Sequence, residues 1–290
     1  MRIAIIGFGE AGHMFGSALA AAHHVRAYDI STVPEIAQRA EEAGVILEDS
    51  SDRAIGDAEL ILSLVTADQS EQAARIAARI IKPGQRYLEM NSVSPDTKRK
   101  NASLISESGA DLLDVAIMSP VYPAGAAVPL LVAGPDADMV ADCLSGIGLN
   151  ARSAGTEVGR AAAIKMCRSV MIKGIEALTA ESLLTARHYG VEKEVLSSLH
   201  ESFPEMGWND RAADYLISRI AQHGRRRAAE MREVALTVRE SGLQTGMAAE
   251  VARTQDHLRD LMDDKGLEYD PAASFDWRSF ADRLKGIRQN

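Results

Sequence analysis

The chain has 290 residues, 46% of them hydrophobic and 25% charged, with a formal net charge of −9. That length predicts one large domain or two smaller ones, and the acidic surplus argues against nucleic acid and against an anionic membrane surface as partners. No apolar run approaches the roughly 18 residues of a membrane span, and two unrelated cysteines, Cys143 and Cys167, offer neither a disulfide framework nor a metal site.

The first residues, MRIAIIGFG, enter a strand pattern at once and leave no room for a signal segment, so a reducing cytoplasm is the expected location. Runs of strand type at 2–6, 25–28, 44–47, 60–65, 86–90, 112–118, 129–134 and 150–153 alternate with helical patterns at 10–22, 33–43, 68–81, 95–108 and 136–146. Such alternation predicts a mainly parallel, doubly wound sheet covered on both faces. Beyond Gly159 the strand signals stop. Helical segments follow at 160–188, 193–202, 209–222, 225–241, 246–263 and 276–286, with breaks at Gly190, Pro204, Gly224, Gly242 and Gly266. The change of pattern predicts an α/β domain over 1–158 and an all-α domain over 159–290.

The first strand runs directly into Gly7, Phe8, Gly9, Glu10, Ala11 and Gly12, a GxGxxG turn that opens a helix. Gly7 permits the tight turn, Gly9 lets backbone approach a pyrophosphate, and Gly12 allows close packing of helix on sheet. The helix N-terminus adds unpaired N–H groups and positive dipole. Asp29 ends the second strand, where a carboxylate can accept from a ribose 2′-OH and would repel a 2′-phosphate. The α/β half is therefore expected to be a Rossmann-like domain for NAD, with NADP admitted if an arginine from elsewhere serves it. Thr66, Asn91 and Ser92 follow later strands at the carboxyl edge; they are candidates for cofactor contacts, for helix caps, or for both.

In the helical half, Lys165, Ser169 and Lys173 climb one face of an apolar helix at four-residue spacing. Snorkelling lysines are the plain explanation. Lys173 has Glu176 three residues on, in register for a helix-surface ion pair. His223, Arg225, Arg226, Arg227 and Arg232 cluster further along. The arginines read as a solvated face, with an acidic substrate as the alternative, and His223 reads as a helix-end residue beside Gly224.

These motifs, in this order, resemble the β-hydroxyacid dehydrogenase family, which includes 3-hydroxyisobutyrate, tartronate semialdehyde and 6-phosphogluconate dehydrogenases. IIGFGEAGHMFGSAL is similar to the family's cofactor turn and EMNSVSP to its D-x-S-T-x-x-P segment. DVAIMSPVYPAGAAVPLLVAG (114–134) resembles the substrate loop, EVGRAAAIKMCRS (157–169) the helix bearing the catalytic lysine, and MREVALTVRESG (231–242) the M-x-K-D-L stretch. Ser169 stands where most relatives have asparagine, Arg232 and Glu233 replace Lys and Asp, and the loop lacks paired glycines. The pattern is similar to the branch named for a phosphogluconate dehydrogenase-type C-terminal domain.

The resemblance implies NAD(P)-dependent oxidation of a β-hydroxyacid or related alcohol, in a homodimer or larger assembly formed mainly through helices. Lys165 is then the general acid/base, made able to lose its proton by burial. Ser119, with Pro120 beside it, and Ser169 become substrate contacts, although Ser119 is equally suited to an ordinary turn. Two alternatives stand beside this reading: an imine or ketone reductase on the same scaffold, whose imine version Lys165 argues against, and a protein that binds NAD without turning it over.

Overall fold

Eight strands, β1 (Arg2–Ile6), β2 (His24–Tyr28), β3 (Ile46–Leu47), β4 (Leu60–Ser63), β5 (Arg86–Glu89), β6 (Asp111–Ile117), β7 (Leu130–Ala133) and β8 (Ala151–Gly155), form one sheet in the order β3-β2-β1-β4-β5-β6-β7-β8. The structure, a computed structural model, describes residues 1–120, 125–208 and 210–286. Every neighbouring pair is parallel except β6 and β7. The central strands are apolar along their length because both faces are covered. Ile3 and Ile5 join Leu62 and Leu88 in one core, while Ala4 and Ile6 join Ile61 and Tyr87 in the other. Alternate side chains thus feed opposite faces.

The helices between the strands are α1 (Glu10–Ala20), α2 (Pro34–Glu42), α3 (Ser51–Ile55), α4 (Ser70–Ala77), α5 (Pro95–Ser106) and α6 (Ala137–Gly146). The short α3 was not expected from the sequence; its length leaves no room for an apolar period, and it is set by Ser50, whose hydroxyl caps Arg53 N–H at 3.4 Å. From β1 the sheet grows one way through β2 and β3 and the other way from β4. That reversal opens a crevice at the carboxyl ends of β1 and β4, the place where open α/β sheets bind ligands.

By its internal packing the chain divides into two compact units, Met1–Met166 and Cys167–Asn290. Helix α7 (Arg160–Tyr189) begins in the first. The second unit continues through α8 (Glu192–Ser202), α9 (Ala212–Glu240), α10 (Gly246–Asp264) and α11 (Trp277–Leu284), with no strand among the described residues. It has its own core, built on Leu183, Ile217, Ile220, Leu258, Met262 and Trp277. Gly224 does not break a helix: α9 runs unbroken through it. A Cβ there would lie 2.5 Å from Arg259 Cγ and 3.1 Å from the Gln255 carbonyl oxygen, so this glycine serves the close approach of α10 to α9.

Candidate functional site

The crevice at the strand reversal holds a cavity of about 230 Å3 that brings together Gly7, Gly9, Asp29 and Thr66. Gly7 sits at φ +92, and a Cβ on it would lie 2.6 Å from the Leu64 carbonyl oxygen. Only glycine fits where the first turn passes the end of β4. A Cβ on Gly12 would overlap the Gly7 carbonyl oxygen, whereas Gly9 faces open space. The open space at Gly9, beside a helix start that no side chain caps, is the cradle a pyrophosphate requires, so the residues present fit a dinucleotide.

Asp29 spans the site. One carboxylate oxygen accepts the Phe8 N–H at 2.6 Å and the other the Ser31 N–H at 2.8 Å. Each oxygen keeps a further lone pair for a ribose hydroxyl. The Phe8 ring is fully buried in the core beneath the turn, and Glu10 and Ala11 form the first turn of α1. Sequence reasoning missed the apolar wall made by Ile55, Ala73, Ile76 and Ala77; the four-residue spacing of Ala73 and Ala77 on α4 is the signal that could have found part of it. No His, Cys, Asp and Glu group among the described residues could hold a metal ion.

Further along the carboxyl edge, a fully buried ionic network stands behind the strand ends. Lys98 of α5, 1% exposed, is paired with Glu89 of β5 and lies 3.3 Å from Asp114 of β6, both 0% exposed. The second oxygen of Asp114 accepts the Gly159 N–H at 3.1 Å and the Ala162 N–H at 2.9 Å. A carboxylate on the sheet thereby caps α7 from more than forty residues away in sequence, satisfying donors every helix start leaves open. Asn91 donates to Ser63 Oγ at 3.1 Å and to Glu89, and its buried Oδ1 has no hydrogen-bond partner among the described residues. Neither Asn91 nor Ser92 caps a helix; Ser94 does that for α5, accepting Thr97 N–H at 3.2 Å. Ser92 instead accepts from Lys165: Nζ to Oγ is 2.6 Å, with the pair partly buried.

In the second unit, Ser169 Oγ is 3.4 Å from Lys173 Nζ, and Lys173 pairs with Glu230 of α9 at 2.6 Å. The expected surface pair of Lys173 with Glu176 is not what forms. Lys173 is buried, and Glu176 is held by Arg227 of α9 instead, with Arg227 Nε donating at 2.8 Å. The reason is that α9 packs carboxylate and guanidinium against this face of α7, so each charge finds a partner across the helices rather than along one. Burial lowers the Lys173 ammonium from its ordinary range, with Glu230 pulling it back up. Burial likewise raises the Glu176 carboxyl, with Arg227 opposing.

The arginine run divides in the same way. Arg225, Arg226 and Arg232 are exposed, as a solvated face should be, and pair with Asp260, Glu230 and Asp256, but Arg227 is buried. His223 lies inside the continuous α9 rather than at a helix end. Ser119 and Pro120 are exposed at the end of β6; residues 121–124 of the expected substrate loop, 114–134, lie outside the described residues.

The description "NAD binding domain of 6-phosphogluconate dehydrogenase" matches residues 2–153, more than half the chain, and a domain of unknown function, DUF1932, matches residues 186–258. A conserved hypothetical protein of Sinorhizobium meliloti 1021 has a solved structure similar to this one at TM-score 0.81 and 36% identity, covering 99% of this chain and 97% of that one. The conserved protein MTH1747, described as structurally similar to 3-hydroxyacid dehydrogenases, matches at TM-score 0.74 and 32% identity, over 90% of this chain and 97% of its own. A 3-hydroxyisobutyrate dehydrogenase of Pseudomonas aeruginosa is 26% identical over 219 residues, 71% of each chain. With its glycine turn, its crevice and its helical second unit, the chain belongs to the β-hydroxyacid dehydrogenase family and carries that family's nicotinamide-cofactor-binding domain.

Proposed function

We propose that this protein is an NAD(P)-dependent dehydrogenase of a β-hydroxyacid or related alcohol, with Lys165 as its general acid/base. The observation that carries this reading is the 2.6 Å contact from Lys165 Nζ to Ser92 Oγ, at the same carboxyl edge as the glycine-lined crevice. Gly7, Gly9 and the start of α1 would hold the pyrophosphate, Asp29 the adenosine ribose, and Thr66 with the β5–α5 loop the nicotinamide half. When bound, the cofactor supplies the hydride acceptor or donor. The Lys165 amine takes the proton from the substrate hydroxyl during oxidation and returns it during reduction. Ser92, by accepting one N–H, fixes the direction of the remaining amine positions. Ser119, Pro120 and Ser169 are assigned to the substrate. Two carboxylate oxygens engaged at the ribose end favour NAD over NADP, since a 2′-phosphate would meet Asp29.

The same proposal assigns cofactor handling to 1–158 and substrate binding and assembly to 159–290, in a cytoplasmic homodimer or larger homo-oligomer. No described helix is long and apolar enough to cross a membrane. The test is a screen of NAD and NADP reduction against hydroxy acids, sugar acids and alcohols, run beside Lys165→Ala, with NADH binding measured for both proteins. Turnover that vanishes in the variant while NADH binding persists is the expected result. Undiminished turnover in Lys165→Ala overturns the assignment of the base, and NADH binding without turnover of any substrate favours a sensor. Light scattering reads the assembly state.

A further inference from the structure

Lys98, Glu89 and Asp114 form the most deeply buried ion cluster among the described residues, with no side chain of the three more than 1% exposed. Burying charge in this way is a weak source of stability, because apolar side chains of similar volume commonly do as well or better. What apolar side chains cannot do is aim hydrogen bonds. Direction is therefore the property of the cluster that calls for a reason.

Followed outward from Lys98, those bonds lead to the two sides of one contact. On one side the ammonium lies 3.3 Å from Asp114 of β6, whose other oxygen takes the Gly159 and Ala162 N–H groups at the start of α7. Lys165 follows Ala162 by three residues, less than one turn of that helix. On the other side the ammonium pairs with the Glu89 carboxylate and donates to the Glu89 backbone carbonyl at 2.6 Å, which fixes it to the last residue of β5. The same carboxylate takes the Asn91 amide and, at 2.9 Å, the Ser70 hydroxyl. Asn91 also donates to Ser63 Oγ, at the end of β4, at 3.1 Å. Next in the chain is Ser92, which receives Lys165 Nζ at 2.6 Å. The helix that carries Lys165 and the loop that carries its serine partner are thus tied to a single buried ammonium. Every residue of the circuit lies in the first unit, Met1–Met166.

We propose that Lys98 is a positioning residue for Lys165: through Asp114 it sets the start of α7, and through Glu89 and Asn91 it sets the Ser92 loop, so that the Lys165–Ser92 contact forms in one geometry. The catalytic consequence rests on the reading of Lys165 as the general acid/base. Lys98 itself is fully enclosed and acts through the two carboxylates.

Trace labelling with acetic anhydride, followed by peptide mass spectrometry, reads the freedom of each amine in the full-length protein without cofactor or substrate. The exposed Lys82, Lys100 and Lys193 are internal references. Ser92→Ala removes the contact outright and should raise Lys165 labelling about tenfold relative to them, the equivalent of one hydrogen bond to a charged group. Lys98→Met should raise it by a comparable factor. Added to Ser92→Ala it should raise it no further, since both changes act on the same contact. A cluster that only stabilised the fold would leave the ratio of Lys165 to the reference lysines where it was. Because Lys98→Met strands two carboxylates, Glu89→Gln/Lys98→Met is the second variant: it removes the closer pair together, leaves Asp114 with its two α7 N–H groups, and should reproduce the labelling change. The two readings fail separately. Full turnover in Lys165→Ala overturns the acid/base role and with it the catalytic consequence. The positioning proposal is overturned by Lys165 labelling that is unchanged in Ser92→Ala, unchanged in a folded Lys98 variant, or additive between the two.

Discussion

Gly9→Ala separates the demands of the fold from those of the ligand. Gly9 has φ −72 and ψ −154, a φ open to any residue, and a Cβ on it meets no atom within 4 Å. As an N-cap, alanine is worse than glycine by up to about 1 kcal/mol. A stiffer unfolded chain returns about 0.4–1 kcal/mol. Stability should therefore change by less than about 1 kcal/mol, the difference of those two terms. The added methyl nevertheless fills the volume through which a pyrophosphate would reach the N–H groups of α1, where donor and acceptor must come within about 2.9 Å. Losing one charge-assisted hydrogen bond costs about 1.5–3 kcal/mol, which is about a ten- to hundred-fold loss of affinity. Calorimetric titration with NADH, beside urea melts of both proteins, measures the two effects separately. Wild-type affinity in a variant with a wild-type melt would refute the placement of the pyrophosphate; a collapsed melt would show that Gly9 serves the backbone after all.

Lys98→Met strands Glu89 and Asp114, both 0% exposed, and should cost about 3–5 kcal/mol in urea unfolding, the usual penalty for half a buried pair; a loss below about 1 kcal/mol would show the network to be dispensable. Burial, joined by the charges of Arg219, Arg226 and Arg227, lowers the His223 imidazole to about 4, against about 6.5 in the unfolded chain. Between those values the unfolded chain binds more protons, so this contribution is complete above about pH 6.5 and is lost as pH falls through about 4. Because the ring is only partly buried, solvent screening reduces it to about 1–2 kcal/mol; urea melts at pH 7 and about pH 4.5 should show a smaller acid loss in His223→Gln than in wild type, and equal losses would contradict the argument. Gly224→Ala should cost about 1–3 kcal/mol, because Arg259 can swing aside but the Gln255 carbonyl at 3.1 Å cannot. Gly174→Ala, in a helix with nothing within 4 Å of the new Cβ, should gain up to about 1 kcal/mol in the same assay.

The eight strands were legible because strands covered on both faces must be written as short apolar runs, and RIAII or LILS can hardly be anything else in a soluble chain. Strand direction was less visible. PLLVAG reads the same either way, although the absence of a helical stretch between β6 and β7 already favours an antiparallel pair, since parallel neighbours need a crossover. The glycine turn could be read because each glycine answers a local demand. Contacts between distant segments could not: spacing along a helix shows which residues share a face, so it offered Glu176 as the local partner of Lys173. The structure brings Ser92 to Lys165, Glu230 to Lys173 and Arg227 to Glu176. Gly224 was misread for the same reason, its purpose lying on α10 rather than in its own helix.

Asp114 joins the sheet to the first turn of α7, and Lys98 neutralises it from behind. The amine of Lys165 is consequently anchored to the rigid framework of parallel strands, less than two helical turns from that anchor. Sequence drift in the later helices can therefore proceed without relocating that nitrogen.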